Sequence, residues 1–437
     1  MTDRTVSLDG LAKPGSHATG TPTGMRSPLM QAATIRSRSA AITQWIEAGH
    51  SAWWTVQRDR ITHAARDVAA LTLERFPNLR VPFHSRWRHF ETQGQDRAAG
   101  LLGRLARAHP APDSRAVLLT KLDLCVVSVL LDAGSGPGWR FVDSAGHPHQ
   151  RSEGLAVASI EAFIQGAFSS DARQPLQADA TGLESLTRAR LSDWLQNRPD
   201  NPLEGLDGRL ALMNRLGAAL RERGDRRVAD LYAPLLDTAS DGGESQRPTI
   251  SAAALLNQTV SALSSVWLKA SEAPDGARGD LWPHPAATDP EPASGSIQGW
   301  VPFHKLSQWL CYSLIEPLTE AGYTISNLDA LSGLPEYRNG GLLVDTGVLV
   351  LRDPGLAERT WTPADTLIIE WRALTVTLID DLAHEVRLLL EQKGHDARSL
   401  PLACILEGGT WAAGRRHAER LRAGRPPLTV DTAGSLF

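Results

Sequence analysis

The segment Thr362–Gly394, TPADTLIIEWRALTVTLIDDLAHEVRLLLEQKG, decides the fold class. Thr362 and Asp365 have the spacing of a capping box. Pro363 stands at the first helical position, where its missing N–H costs nothing, and Gly394 supplies the stop. The pattern predicts one long helix over Thr362–Glu391, apolar along most of its length, with a polar seam of Glu370, Thr377, Asp381 and His384. So apolar a helix needs neighbours. Leu118–Leu131 is apolar nearly all round and reads as a second buried helix, and helical spacing recurs over Ala32–Phe76, Ser152–Ala167, Gly208–Arg223, Ser251–Lys269 and Phe303–Glu320. The expectation is a mainly α protein: a single helical catalytic domain over 31–437 behind a disordered tail at 1–30. Loops are expected near 237–248 and 272–296, and a few short β-strands in the C-terminal half.

Composition narrows the function classes. Hydrophobic residues at 42%, charged residues at 22% and a formal net charge of -4 are globular values that give no reason to expect a nucleic-acid or anionic-membrane partner. No apolar run reaches the ~20 residues of a membrane helix. Residues 1–28 lack the apolar core of a signal peptide, so a cytoplasmic protein is expected. Cys125, Cys311 and Cys404 each lie in an apolar run, with no metal-binding or disulfide spacing. The His147/His149 pair lacks a third ligand, so neither metal nor cofactor is expected. Thirteen Trp against four Tyr and eight Phe suit either a helical core or a pocket with flat walls.

The polar chemistry concentrates in a few places. In Leu331–Asp353, LSGLPEYRNGGLLVDTGVLVLRD, Pro335 stops a preceding helix and Asn339-Gly340-Gly341 tolerates positive φ. The run Leu342–Leu351 reads as a hairpin around Asp345-Thr346-Gly347. Glu336, Arg338, Asn339 and Asp345 are its site candidates. In Val81–Phe90, VPFHSRWRHF, Arg86 and Arg88 suit an anion fork with Trp87 as a stacking plate; the plainer reading is a solvated loop. Asp132 sits where a carboxylate opposes the helix dipole, His304 shares a helix face with Gln308 and Tyr312, and Glu407-Gly408-Gly409 precedes a helix start suited to phosphate. Several patterns are decoys. The Asp345-Thr346-Gly347 triplet lacks the second matching loop of an aspartic protease, and no P-loop, dinucleotide fingerprint or Ser/Cys nucleophile motif is complete.

The blocks VPFHSRWRHF, LLDAGSG, RSEGLAVASIEAF, LWPHP, GSIQGWVPFHKLSQWL, GLPEYRNGGLLVD, WRALTVTLIDDLA and ILEGGTWAAGR together resemble the uracil catabolism protein 4, or Urg3, family of fungi and bacteria, from about Ile35 to Phe437. The resemblance implies a role in pyrimidine degradation and a small-molecule ribosyl substrate bearing a urea or ureido group. It fixes neither the phosphorylation state nor the oligomer. The leading expectation is a hydrolase that cleaves a ribosyl-urea C–N bond and releases urea. The alternatives are an amidohydrolase on the ureido group and a non-catalytic nucleotide-binding regulator or scaffold. Such a hydrolysis asks for an acid and a base, drawn from Asp132, Glu336, Asp345 and Glu407. It also asks for an anion cradle, drawn from Arg86, Arg88 and Arg338 with Gly408 and Gly409.

Overall fold

The long helix is present, over Thr366–Gln392. It starts later than the capping-box reading placed it, because Asp365 is the cap and its Oδ2 accepts from both the N–H (2.6 Å) and the hydroxyl (2.9 Å) of Thr362. This computed structural model describes residues 27–108, 114–132, 134–136, 138–239, 247–267, 271–289, 291–292 and 297–431. Most of the expected tail, Asp113, part of each expected loop and Lys269 lie outside them.

Two helical layers share the core. In the first, Thr366–Gln392 packs between Ala32–Glu47 and Ile61–Arg75. In the second, Ser114–Leu130, buried on every face after its first turn, packs against Lys305–Glu320 and Arg151–Ile164. The helix Tyr337–Asp345 rests on both Trp411–Arg422 and the long helix, joining the C-terminal segment to the first layer. One buried apolar cluster runs from Ala32 to Leu428, so the layers are not separate cores. Among the described residues the strands occur only in pairs. Trp54–Val56 pairs antiparallel with Leu349–Leu351, Leu281–Pro283 antiparallel with Trp300–Pro302, and Thr360–Trp361 parallel with Thr429–Val430. The protein is mainly α, and no described helix is long and apolar enough to cross a membrane.

Two local expectations are overturned. Leu342–Leu351 is not a hairpin: Tyr337–Asp345 is helical, and Leu349–Leu351 finds its partner strand near the other end of the sequence. Gly340 and Gly341, read as turn formers, serve packing, whereas Gly347 does take a positive φ of +74°. A Cβ on Gly340 would lie 2.8 Å from the Trp371 ring, so only glycine lets the two helices approach this closely. Arg86–Phe90 is a short helix and not a solvated loop, with Arg86, Trp87 and Phe90 all buried.

Candidate functional site

Where the two layers meet the C-terminal segment, a cavity of about 430 Å³ opens. Its walls carry Asp132, Lys305, Glu336, Arg338, His84 and His89, with Trp309, Tyr337 and Trp411 as flat faces. Part of the tryptophan excess is spent here; most of the remainder is core.

Asp132 follows the C-terminus of Ser114–Leu130, where the helix dipole disfavours a carboxylate. Two arginines offset that cost. Arg86 Nη1 lies 3.2 Å from Asp132 Oδ2, and buried Arg209 donates to the carbonyls of Leu131 (2.9 Å) and Gly134 (3.0 Å). Ser152 Oγ donates to the same carboxylate oxygen at 2.6 Å. Arg86 therefore supports the Asp132 carboxylate from behind the wall: its Nε donates to Ser128 Oγ (2.7 Å), and the same Nη1 also reaches the Ser152 carbonyl (3.1 Å) and His89 Nδ1 (3.3 Å). An arginine can only donate, so His89 Nδ1 accepts and the neutral ring carries its proton on Nε2. Burial, reinforced by the Arg86 charge, pulls the His89 pKa down to about 4.

Glu336 caps Tyr337–Asp345 with both oxygens, accepting from the N–H of Arg338 and of Asn339, each at 2.6 Å. Burial pushes its carboxyl up, against those amides and the Lys305 charge. Lys305 was not foreseen. It opens the helix Lys305–Glu320 directly after His304, whose left-handed backbone (φ +45°) turns the chain into the cavity wall. Asp280 fixes that turn by accepting from Lys305 N (3.1 Å) and Trp282 Nε1 (2.8 Å) while gripping Arg372 of the long helix at 2.7 and 2.6 Å. The surrounding protein pulls the Lys305 ammonium below its usual range, opposed by the charges of Glu336 and Asp132. The lysine thus feels both cavity carboxylates.

His84 also lines the cavity, and its Nδ1 lies 2.9 Å from Glu407 Oε2. Glu407 sits in a π-helical turn, Leu406–Thr410, an element that often marks functional sites. Burial opposes its ionisation, but the His84 ring and Arg75, 2.9 Å from Oε1, outweigh this and hold the carboxyl below its usual range.

The remaining candidates lie elsewhere. Asp345, at the far end of its helix, pairs with Arg422 at 2.7 Å. Arg88 pairs with Glu316 at 2.6 Å and Trp87 donates to the Ser313 carbonyl at 2.8 Å, so no fork with a stacking plate is formed. Asn339 bridges Leu334 and Thr410 inside the core. His304 Nε2 is 2.8 Å from the Leu29 carbonyl oxygen. Gly408 and Gly409 face the helix Ile61–Arg75: a Cβ on Gly409 would meet Val68 at 2.6 Å, which leaves no room there for an anion. All three cysteines are buried, and burial raises every thiol, that of Cys311 up to about 12.

The architecture defines a mainly helical protein with one charged, aromatic-walled cavity between its layers and the C-terminal segment. The family model described as "Protein of unknown function (DUF1688)" matches residues 28–437, and the chain belongs to that family. It is 35% identical to Protein urg3 of Schizosaccharomyces pombe (strain 972 / ATCC 24843) over 360 residues, covering 82% of this chain and 84% of the relative. It is 34% identical to Uracil catabolism protein 4 of Lachancea kluyveri over 388 residues, covering 82% of this chain and 85% of the relative.

Proposed function

We propose that the protein is an enzyme of uracil catabolism that hydrolyses the C–N bond between a ribosyl group and urea inside this cavity. The pathway assignment is supported by the name of the Lachancea kluyveri relative. One observation carries the chemistry: a carboxylate (Asp132), a lysine of lowered pKa (Lys305) and a histidine oriented by a carboxylate (His84 with Glu407) share one aromatic-walled cavity. Cleavage of an N-ribosyl bond develops positive charge on the sugar, and Asp132 stabilises it. Glu407 accepts from His84 Nδ1, which leaves Nε2 to take a proton from the attacking water. Lys305 protonates the departing nitrogen, a task suited to an acid with a pKa closer to neutrality than that of a free lysine. Water adds across the bond, giving ribose and urea. The aromatic faces accommodate the sugar ring and the planar urea group.

The test is incubation of the purified protein with ribosylurea and its 5-phosphate, with product identification. Urea and pentose in equal amounts are expected, and Asp132→Asn should lower the turnover rate by roughly a hundredfold or more at unchanged fold. Ammonia with carbamate would assign the chemistry to the ureido group, and no turnover of either compound would overturn the hydrolase reading.

A further inference from the structure

The cavity holds more positive charge than its own carboxylates can satisfy. Arg151, Lys305, Arg338 and Arg425 line it against Asp132 and Glu336, and Asp132 is already held by Arg86. The surplus is sharpest at Arg338, which is 4% exposed while its Nε and Nη1 have no hydrogen-bond partner. Leaving buried guanidinium donors unmet is destabilising, an arrangement that a bound anion relieves. Trp309 adds a second such donor: its Nε1 is buried and unmet on the same cavity. The helix N-terminus beneath is not the attraction, since Glu336 already occupies the N–H groups of Arg338 and Asn339.

The surrounding structure holds these groups in place. The Arg338 guanidinium lies 4.8 Å above the Tyr337 ring, which fixes its plane. Arg151 adopts a left-handed backbone (φ +54°) that a residue with a Cβ rarely takes. Gly424 (φ +83°) lies under its side chain, where a Cβ would come within 3.2 Å of Nη2. Arg151 and Arg425 are exposed at the mouth, Arg338 and Trp309 buried within. A carboxylate would satisfy one guanidinium. A phosphate monoester, with a charge of about −1.5 to −2 and three acceptor oxygens, matches several donors that line one cavity.

We infer that the cavity contains a phosphate subsite formed by Arg338, Arg151 and the Trp309 indole N–H, so that its substrate is a sugar phosphate rather than the free sugar. This rests on the proposed reading of the cavity as the active site and names the substrate class within it. Calorimetric titration of the full chain with ribose 5-phosphate, ribose and inorganic phosphate tests it. Ribose 5-phosphate should bind at least tenfold more tightly than ribose. Arg338→Met should weaken ribose 5-phosphate by tenfold or more without changing ribose. Arg151→Ala, on an exposed side chain, guards against a misfolded Arg338 variant and should weaken it several-fold. Equal binding of sugar and sugar phosphate, or no effect of either arginine variant, overturns the subsite. Equal kcat/KM for ribosylurea and its 5-phosphate overturns it too, while leaving the hydrolase reading standing. Absence of urea from both compounds overturns the hydrolase reading, and the subsite is then decided by the titrations.

Discussion

Glu407 Oε2 lies 2.9 Å from His84 Nδ1, and Arg75 holds the other carboxylate oxygen at 2.9 Å. Glu407 does not line the cavity, so its influence on chemistry passes through the imidazole. Glu407→Gln can present an amide N–H to Nδ1, which moves the ring proton to Nε2 and removes the base. Turnover should fall by roughly a hundredfold with KM little changed. His84→Asn should cost a similar factor, and the double variant little more, because the two residues act as one unit. An additive double variant would show that they act separately.

Asp345 stands two turns along its helix from Arg338, outside the cavity lining, paired with Arg422, and its side chain is only 2% exposed. Asp345→Asn should keep turnover within a few-fold of the native rate while lowering stability by about 1–3 kcal/mol, the usual cost of half-breaking a buried charge-assisted hydrogen bond. Denaturant unfolding and a rate measurement on the same sample check both parts.

His89 gives the fold a pH dependence with a definite sign. Its folded pKa of about 4 lies below the unfolded value of 6.5, so between these values the unfolded chain binds more protons. The groups facing it are Arg86, Asp132, Glu153 and His84. Its contribution is fully present above pH ~6.5 and is lost as the pH falls toward 4, by at most ~3 kcal/mol. Urea midpoints at pH 7.5 and 4.5 should differ less in His89→Gln than in the native protein.

Gly409→Ala places a methyl 2.6 Å from Val68 Cγ1 and 2.7 Å from the Val68 carbonyl oxygen. Neither atom can retreat without moving the helix Ile61–Arg75. A loss of about 1–3 kcal/mol is expected from the overpacking. A thermal midpoint equal to the native value would show that the π-helical turn can shift as a whole.

What the sequence reveals, and what it hides, follows from the range of the interactions. The helix Thr366–Gln392 is legible because its cap, apolar face and stop are all local. Gly340 is misleading because its reason lies 31 positions away, at Trp371. Asp132 is legible as a carboxylate at the wrong end of a helix, and its support by Arg86 from another element explains how it is tolerated. The His84–Glu407 pair spans 323 positions, so the importance of the histidine is invisible locally although the glutamate is conspicuous beside its glycines. Lys305 escapes notice because lysine is an ordinary surface residue; only its place between two cavity carboxylates marks it.

The cavity's walls begin at His84 and are completed by Gly424–Val430, with Thr429–Val430 pinned alongside Thr360–Trp361. A growing chain therefore carries most of the cavity's charged side chains, Asp132, Lys305 and Glu336 among them, before the segment that completes its walls is made. The early helices can collapse as they leave the ribosome, yet their charged cluster stays open to water until the last segment docks. Such late, long-range closure is slow because loop entropy must be overcome first. Maturation should be a post-translational event: activity should appear only after synthesis has passed Val430, and with a lag behind the recovery of helical signal when the denatured protein is refolded.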